Sequence, residues 1–277
     1  MVEASIKRGF PCRKKVLDFV INMEMVIGQS CFGTVFLAYK KSLFAVKVIS
    51  RSYYSKCSNA SDFLKVMSSL NHENLSQIYV LHSRRNLYIF TECFIEENLE
   101  TLMNRMSLST EQILVCMKQI VKTLHFTNSN NFSHGRIKPS NIFMKAGIMK
   151  IVDFGLALIE EASFCKHHCS PMCKLYTAPE KITELNYDVV KCDVWSVGVI
   201  FYELIFKKTP WLANSEYSLV LEIKANPITF TKISEQDPEI LDVITKMLEV
   251  NPEKRINLEE ILNHSLFQRK LPDLLIL

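Results

Sequence analysis

The chain has 277 residues, of which 48% are hydrophobic and 22% charged, and its formal net charge is +4. This length suffices for one large domain or two lobes, and the composition favours a packed core over disorder. The charge is too mild to indicate a nucleic-acid partner. No segment is apolar enough to predict membrane insertion, because the strongest run, Val197 to Phe206, is short and contains Glu203.

The N-terminal segment is basic and has no secretory pattern. Its basic residues are Lys7, Arg8, Arg13, Lys14 and Lys15. Such a patch is most often solvated, with nuclear targeting or an acidic partner as the minority interpretation. Nine cysteines, an odd number, without a signal peptide predict reduced thiols in an intracellular protein, cytoplasmic or alternatively nuclear. Residues 1–20 lack clean periodicity and predict an N-terminal extension.

The first motif runs from Ile27 to Ala38 and places Gly28, Ser30 and Gly33 in a predicted strand–turn–strand. Backbone N–H groups in such a turn can approach a phosphate closely. Ser30 makes that approach harder without forbidding it. Alone the motif is weak, because an ordinary Gly-poor hairpin would show the same pattern.

The next predicted strand, Leu43 to Ile49, is rich in β-branched residues and carries Lys47 among apolar neighbours. A half-buried lysine needs an anionic partner. A helix is then predicted over about Ala60 to Leu70, followed by strands over Leu75–Val80 and Leu87–Phe90.

Beyond Phe94 the apolar period changes from about 2 to about 3.6 residues, which indicates helices. Ser109 and Gln112 predict a capping box. Six apolar residues then line one predicted helix face: Ile113, Leu114, Met117, Ile120, Val121 and Leu124. Further along, Asp237 and Pro238 predict the start of another helix.

The rest of the chain is organised around His134-Gly135-Arg136-Ile137-Lys138-Pro139-Ser140-Asn141. Two short predicted strands, Ile142–Met144 and Met149–Val152, separate it from Asp153-Phe154-Gly155. The two stretches together resemble the phosphoryl-transfer centre of the eukaryotic protein kinases.

Other motifs carry the same resemblance in the order expected of that family. They are the Gly-rich loop at 28–35, Ala178-Pro179-Glu180, Asp193-Val194-Trp195-Ser196-Val197-Gly198 and Asn251-Pro252-Glu253-Lys254-Arg255. The resemblance implies an α+β bilobal fold over residues 21–268. A small β-rich lobe would span about 21–93, a large helical lobe about 94–268, and residues 269–277 would form a tail.

The resemblance also implies ATP and Mg²⁺ as cofactors and assigns candidate site residues. The nucleotide-binding candidates are Gly28, Ser30, Gly33, Val35, Ala45, Lys47, Thr91, Glu92, Phe94 and Phe143. The metal candidates are Asn141 and Asp153, and the catalytic-loop candidates are Arg136 and Lys138. In the family, the counterpart of Asp193 holds the catalytic-loop backbone, and the counterparts of Arg255 and Glu180 pair.

Three stretches depart from the family pattern. The family writes His-Arg-Asp where this chain has His134-Gly135-Arg136, so Arg136 stands at the position of the catalytic base. Counted back from His72, the helix glutamate that pairs with the phosphate lysine falls at Phe63, whereas a register shift of one residue would place Asp62 there. The family's Gly-Thr-Pro in the substrate-docking segment is Met172-Cys173-Lys174.

Two functions follow from this mixture. In the first, the chain is a pseudokinase that binds ATP and protein partners, with weak or altered use of Mg²⁺. In the second, it is an active Ser/Thr kinase with an atypical catalytic loop, and Lys138 favours the Ser/Thr class over the Tyr class. The departures favour the first.

The predicted activation segment raises two side questions. Candidate phosphorylation sites are Ser163, Ser170 and Thr177, although Gly135 replaces the arginine that usually clamps such a phosphate. Cys165, His167, His168, Cys169 and Cys173 could form a zinc site or simply an exposed loop with oxidisable thiols.

Overall fold

The computed structural model describes residues 12–30, 33–55, 60–94, 97–154, 174–228, 230 and 237–275, without the side chains of residues 30 and 60–63. The described residues fall into two compact units. The sheet unit contains residues up to Asn71 and from Ser76 to Phe94, and the helical unit contains His72–Leu75 and the described residues beyond 96. Within the described part of the chain, no helix is long and apolar enough to cross a membrane.

The sheet unit is built on one antiparallel sheet of six strands in the order β1-β2-β3-β4-β6-β5. The strands are β1 (Arg13–Val16), β2 (Phe19–Ser30), β3 (Gly33–Lys40), β4 (Ser42–Ser50), β5 (Ile78–His82) and β6 (Asn86–Glu92). Two helices, α1 (Arg51–Tyr54) and α2 (Ala60–Ser69), lie between β4 and β5 along the chain.

One face of this sheet packs an aromatic core. The Phe19 ring stacks on Phe90 with centroids 3.9 Å apart and meets the edge of Phe44 at 5.1 Å. Ile21, Ala38, Val46 and Tyr88 are buried in the same cluster. Because side chains alternate between the faces of a strand, the residues between these ones point to the opposite face.

The sheet unit differs from the sequence prediction in two places. The predicted N-terminal extension, residues 1–20, contains regular structure in its described part, because β1 pairs with the start of β2 and Phe19 is buried. Short strands of mixed Lys and apolar residues give too little periodicity to be recognised without their partner strand. The strand predicted from Leu75 begins at Ile78, and Leu75 forms only an isolated bridge to Ile151.

The helical unit contains eight helices among the described residues. They are α3 (Leu99–Arg105), α4 (Thr110–Ser129), α5 (Pro179–Thr183), α6 (Val189–Phe206), α7 (Glu216–Ala225), α8 (Pro238–Met247), α9 (Leu258–Asn263) and α10 (Ser265–Gln268). The Ser109–Gln112 capping box of α4 is confirmed, and all six residues of its predicted apolar face are buried. Asp237 caps α8 with Pro238 at its first turn, as predicted.

Helix α6 is the buried centre of the helical unit. Its central residues, from Cys192 to Phe201, are all buried, and Trp195 stacks on Trp211 with centroids 5.3 Å apart. The helix ends at Lys207, which adopts a left-handed conformation with φ 59°. A helix that is apolar on all sides belongs in a core, and this one positions the loops that pack against it.

A two-stranded hairpin completes the helical unit. Strand β7 (Ile142–Lys145) pairs with β8 (Ile148–Ile151) across a turn in which Gly147 has φ +82°. Both strands match their predicted ranges to within one residue. With a β-rich unit and a helical unit in this order, the prediction of an α+β bilobal fold is confirmed.

Candidate functional site

Six nucleotide-binding candidates lie on one face of the six-stranded sheet. Gly28 faces Val35, Val35 faces Lys47, and Lys47 faces Ile89, so these positions form a row across β2, β3, β4 and β6. Directly opposed residues share a face, as do residues two apart on one strand. Gly33, Ala45 and Thr91 therefore belong to the same face, which is opposite to the aromatic core.

Lys47 is only 7% exposed, in the middle of β4. Its strand neighbours in register are Val35 and Ile89, both apolar. A buried ammonium group in such surroundings needs anionic or polar partners. This position suits a lysine that binds phosphate.

The two described glycines of the Gly-rich loop differ in the space available for a side chain. A Cβ added at Gly33 would lie 2.6 Å from the carbonyl oxygen of Val48, so the close pairing of β3 with β4 requires glycine there. A Cβ at Gly28 would lie 3.4 Å from the Cβ of Val35, which is ordinary contact. Packing within the sheet therefore explains Gly33 but not Gly28. Ser30 pairs with Gly33 through the backbone at the end of the hairpin.

The predicted hinge residues lie at the end of β6 and just beyond it. Thr91 pairs with Ala45, Glu92 pairs with Phe44, and the N–H of Cys93 donates to the carbonyl oxygen of Leu43 at 3.4 Å. Glu92 is on the aromatic-core face, so its carboxylate does not share the face of Lys47. Phe94 is partly buried just beyond the strand.

Phe143 belongs to the helical unit, where it forms a bridge with Asn98.

The catalytic-loop candidates lie in the helical unit on a strongly anchored backbone. The carboxylate of Asp193 accepts hydrogen bonds from the N–H groups of His134 at 2.7 Å and Gly135 at 2.8 Å. The predicted role of Asp193 in holding this backbone is thus confirmed. Burial raises the pKa of Asp193 to about 7, while its bonds from His134 and Gly135 favour the charged form.

Gly135 has φ +74°, a conformation that favours glycine. Its carbonyl oxygen accepts a hydrogen bond from the Lys181 ammonium at 2.8 Å. Lys181 also lies over the Tyr187 ring at 5.4 Å. Sequence reasoning missed Lys181, because a lysine in the short helix α5 carries no signal that it will reach a distant loop.

His134 is fully buried and fixes the loop from inside. Its Nδ1 accepts a hydrogen bond from the Arg136 N–H at 3.2 Å, so its Nε2 carries the proton donated to the carbonyl oxygen of Val152 at 3.0 Å. Burial lowers the pKa of His134 to about 4, with Arg136 adding to the decrease while Asp153 opposes it. The imidazole is therefore neutral at physiological pH and connects the loop to the residue before Asp153.

Asn141 and Asp153 are placed by the hairpin between them. The Asn141 amide Nδ2 donates to the carbonyl oxygen of Arg136 at 3.1 Å, and the backbone of Asn141 accepts from the Val152 N–H at 3.0 Å. Asp153 follows β8 with φ +63°. Lys138 is partly buried directly before the 3-10 helix Pro139–Asn141.

The donor chemistry of this loop fits a divalent metal in part. The Asn141 amide oxygen and the Asp153 carboxylate are hard oxygen ligands of the kind that Mg²⁺ prefers. Arg136 and Asp153 both act electrostatically on His134, so the arginine charge and the candidate metal ligand are in the same neighbourhood. Bound Mg²⁺ would neutralise phosphate charge there, and Arg136 would oppose it.

The predicted pairing of Arg255 with Glu180 is confirmed. Two nitrogens of the Arg255 guanidinium donate to the two Glu180 carboxylate oxygens at 2.5 and 3.0 Å, with both side chains buried. The guanidinium also lies 4.9 Å from the centre of the Trp195 ring. Arg255 thus connects Glu180 at the start of α5 with Trp195 on α6.

Several predictions fall outside the described residues. Gly155, Met172, Cys173, Ser163, Ser170 and the proposed zinc ligands Cys165, His167, His168 and Cys169 are among them. Phe63 lies within α2, but its side chain is not described. Thr177 and Lys174 are described, and the Thr177 N–H donates to the Lys174 carbonyl oxygen at 2.9 Å.

Comparison with known families identifies the fold. The model of the protein kinase domain matches residues 21–267. The chain belongs to the protein kinase family. The predicted membership of the eukaryotic protein kinase superfamily is confirmed, while the roles assigned to individual site residues stay predictions.

The relatives of this kinase domain include several serine/threonine kinases. It is 30% identical over 249 residues to the probable serine/threonine-protein kinase MARK-A of Dictyostelium discoideum, covering 86% of this chain and 23% of that protein. It is 28% identical over 267 residues to calcium-dependent protein kinase 3 of Plasmodium berghei, covering 91% of this chain and 47% of that protein. It is 26% identical over 250 residues to the mouse serine/threonine-protein kinase ULK3, covering 86% of this chain and 52% of that protein. The chain thus spans between about a quarter and a half of these relatives.

Proposed function

We propose that this kinase domain binds ATP but is impaired in phosphotransfer, and that it acts as a pseudokinase through protein partners in signalling or scaffolding. The observation that carries the proposal is Arg136. It occupies the base position of a catalytic loop whose other supports are present.

The hydrogen bonds of the loop backbone support a defect in proton transfer and not in the folding of the loop. Asp193 holds His134 and Gly135, Lys181 holds Gly135, and Asn141 holds the carbonyl of Arg136. A misfolded loop would lack these hydrogen bonds. Here Arg136 replaces the side chain that accepts the substrate proton in the family, while the hydrogen bonds of the loop backbone remain.

The size of the expected defect follows from general acid–base catalysis. A positioned general base typically contributes about 10² to 10⁴ in rate. Arginine cannot accept a proton at any accessible pH. Two unit charges about 4 Å apart repel by about 4 kcal/mol at an effective dielectric constant of roughly 20, so a nearby Arg136 also weakens metal binding.

Nucleotide binding is supported by what the sheet unit retains. Gly28, Val35, Ala45, Lys47 and Thr91 share a face, and Lys47 is buried among apolar neighbours. Kinases generally use ATP with Mg²⁺, so a retained phosphate lysine favours ATP as the ligand. Because Arg136 and Asp153 both influence His134 electrostatically, we expect weak or altered dependence on the metal.

An active Ser/Thr kinase with an atypical loop is the second candidate. The sequence retains Lys138, Asn141 and Asp153 at the family's motif positions, and two of the relatives named above are serine/threonine-protein kinases by name. In this case another group would take the proton, or transfer would proceed slowly without a base. In both cases protein partners or substrates, an intracellular location and no nucleic-acid ligand remain part of the proposal.

A thermal-shift experiment beside a radiolabelled transfer assay tests the proposal. ATP should raise the melting temperature of the purified chain, and Lys47→Met should abolish that shift, because it removes the phosphate partner. Lys41→Met, at an exposed position of the neighbouring turn, is the matched control and should keep the shift. Autophosphorylation should stay near background. Strong autophosphorylation that Lys47→Met abolishes would falsify the pseudokinase function and establish the second candidate.

A further inference from the structure

The β7–β8 hairpin depends on neighbours for its stability. A hairpin of two strands is marginal in water when it stands alone. The hairpin also positions the two candidate metal ligands, because β7 begins directly after Asn141 and β8 ends two residues before Asp153. Whatever holds the hairpin therefore controls the relative positions of these two residues.

The side-chain amides of Gln119 and Asn74 form hydrogen bonds with the backbone at the outer edge of β8. The Gln119 Oε1 accepts from the Met149 N–H at 2.8 Å, and the Asn74 Nδ2 donates to the Met149 carbonyl oxygen at 2.8 Å. The Ile151 N–H donates to the backbone oxygen of Asn74 at 2.9 Å. Asn74 Nδ2 also donates to Gln119 Oε1 at 2.8 Å. Both amides are buried, so each lost bond would leave an unsatisfied polar group.

The other end of the Gln119 amide reaches the C-terminal segment. Its Nε2 donates to the carbonyl oxygen of Gly147 at 3.2 Å and to that of Asp273 at 3.0 Å. Gln119 thus uses both its donor and its acceptor atoms to connect α4, the hairpin and residue 273. A leucine or glutamate at this position could not make the same set of bonds.

The C-terminal segment makes its own contact with the hairpin turn. The Leu275 N–H donates to the Gly147 carbonyl oxygen at 2.9 Å, and Leu275 is 4% exposed whereas Leu274 is 47% exposed. A Cβ added at Gly147 would lie 2.6 Å from the Leu275 carbonyl oxygen, so the fit requires glycine. Leu274 and Leu275 lie beyond residue 267, where the match to the family ends.

We propose that residues 273–275 form a strap, and that Gln119 is the positioning residue through which this strap holds the hairpin that carries Asn141 and Asp153. The part that concerns the metal rests on the function proposed above. The part that concerns the hairpin rests on the hydrogen bonds and burial alone. The two parts can fail separately.

Hydrogen exchange measured by mass spectrometry tests the strap. Leu275→Asp places a charge at a buried position, and Gln119→Glu keeps the acceptor but sets a carboxylate against the carbonyl oxygens of Gly147 and Asp273. Both variants should speed exchange in residues 142–152 on the order of tenfold.

Two matched controls separate a strap from general damage. Leu274→Asp changes the adjacent, half-exposed leucine, and Asp273→Asn keeps the backbone oxygen that Gln119 uses. Neither should alter exchange in residues 142–152. The exchange of α6 should be the same in all variants. If residues 142–152 exchange at the wild-type rate in Leu275→Asp and Gln119→Glu, or if α6 speeds up equally, the strap is wrong.

The consequence for the metal is read from nucleotide-induced thermal shifts with and without Mg²⁺. The strap variants should lose the additional shift that Mg²⁺ gives but keep the shift produced by ATP alone. A full Mg²⁺ effect in a variant with fast hairpin exchange would overturn the positioning role of Gln119. If the wild type does not respond to ATP in either condition, the proposed nucleotide function fails, and the exchange result still decides the strap.

Discussion

At the scale of single residues, the proposed function depends on Arg136, which stands at the position of the family's catalytic base. Arg136 keeps the backbone bonds of its position, because its N–H donates to His134 and its carbonyl oxygen accepts from Asn141. What changes is the charge and the ability to accept a proton. Gly135, the preceding residue, has φ +74°. The arginine that the family has at this position would be strained in that backbone conformation.

Replacing Arg136 with Asp should restore phosphotransfer. The substitution supplies a proton acceptor and removes a positive charge from the catalytic loop, so we expect a gain of up to about 10² to 10⁴ in transfer rate. Arg136→Ala removes the charge without supplying a base, so it should improve binding of ATP with Mg²⁺ while transfer stays near background. Radiolabelled transfer and thermal shift on the same preparations measure both effects.

The double variant Gly135→Arg with Arg136→Asp rebuilds the family triplet at a structural cost. A non-glycine residue at φ +74° costs about 1 to 2 kcal/mol, so the double variant should be less stable than Arg136→Asp alone. If both stay inactive, adding Phe63→Glu tests whether the absence of the family's helix glutamate is a second block, and the effects should be non-additive. A wild type as active as Arg136→Asp would show that Arg136 is not the block.

The two glycines of the Gly-rich loop should respond differently to alanine. Gly33→Ala forces a Cβ against the carbonyl oxygen of Val48 and should cost about 1 to 3 kcal/mol of unfolding free energy. Gly28→Ala meets only ordinary contact at 3.4 Å and should leave stability within about 1 kcal/mol of wild type. Urea unfolding measures both. Equal destabilisation by the two substitutions would contradict the assignment of Gly33 to packing.

At the scale of elements, helix α6 connects the loop to the rest of the helical unit. Asp193 binds the loop backbone, and Trp195, two residues later, packs against Arg255, which in turn pairs with Glu180. Arg255 also donates to the carbonyl oxygens of Glu249 and Lys191 at 2.9 and 2.7 Å. The guanidinium is therefore the shared partner of several backbone segments.

Breaking this buried pair should destabilise the domain strongly. Arg255→Met leaves the Glu180 carboxylate buried without its cation, which typically costs about 3 to 5 kcal/mol. Adding Glu180→Gln to Arg255→Met should recover part of that loss, because the buried charge is then gone. Lys254→Met, at the exposed neighbouring position, is the control and should change stability by less than about 0.5 kcal/mol. Urea unfolding that shows a loss under 1 kcal/mol, on the order of a surface substitution, would contradict the pair's structural role.

At the scale of the whole molecule, the chain is a kinase domain that covers only part of its relatives' length. Its sheet unit carries the face with Lys47, and its helical unit carries the catalytic loop, the metal candidates and the strap. The substrates and partners of the protein are accordingly proposals. The experiments above address the domain itself.

The family, the α+β fold and three of the helices (α2, α4 and α8) could be predicted from the sequence alone. Motifs such as Asp193-Val194-Trp195 and the capping residues Ser109 and Asp237 act locally, so they can be identified in the sequence without knowledge of tertiary contacts. The replacement at Arg136 was equally visible, because it is an identity at a motif position. Residues 13–20 were not recognised as strands, because β1 is stabilised by pairing with β2 and not by its own propensity.

Only the tertiary structure decided which residues support the site from a distance. Lys181 reaches Gly135 across 46 positions, and Gln119 reaches Asp273 across 154. The shared face of Lys47, Val35 and Thr91 likewise depends on strand register, which a shift of one residue would reverse. These contacts join segments that are distant in the sequence and come together only in the folded protein. Local sequence patterns therefore do not predict them.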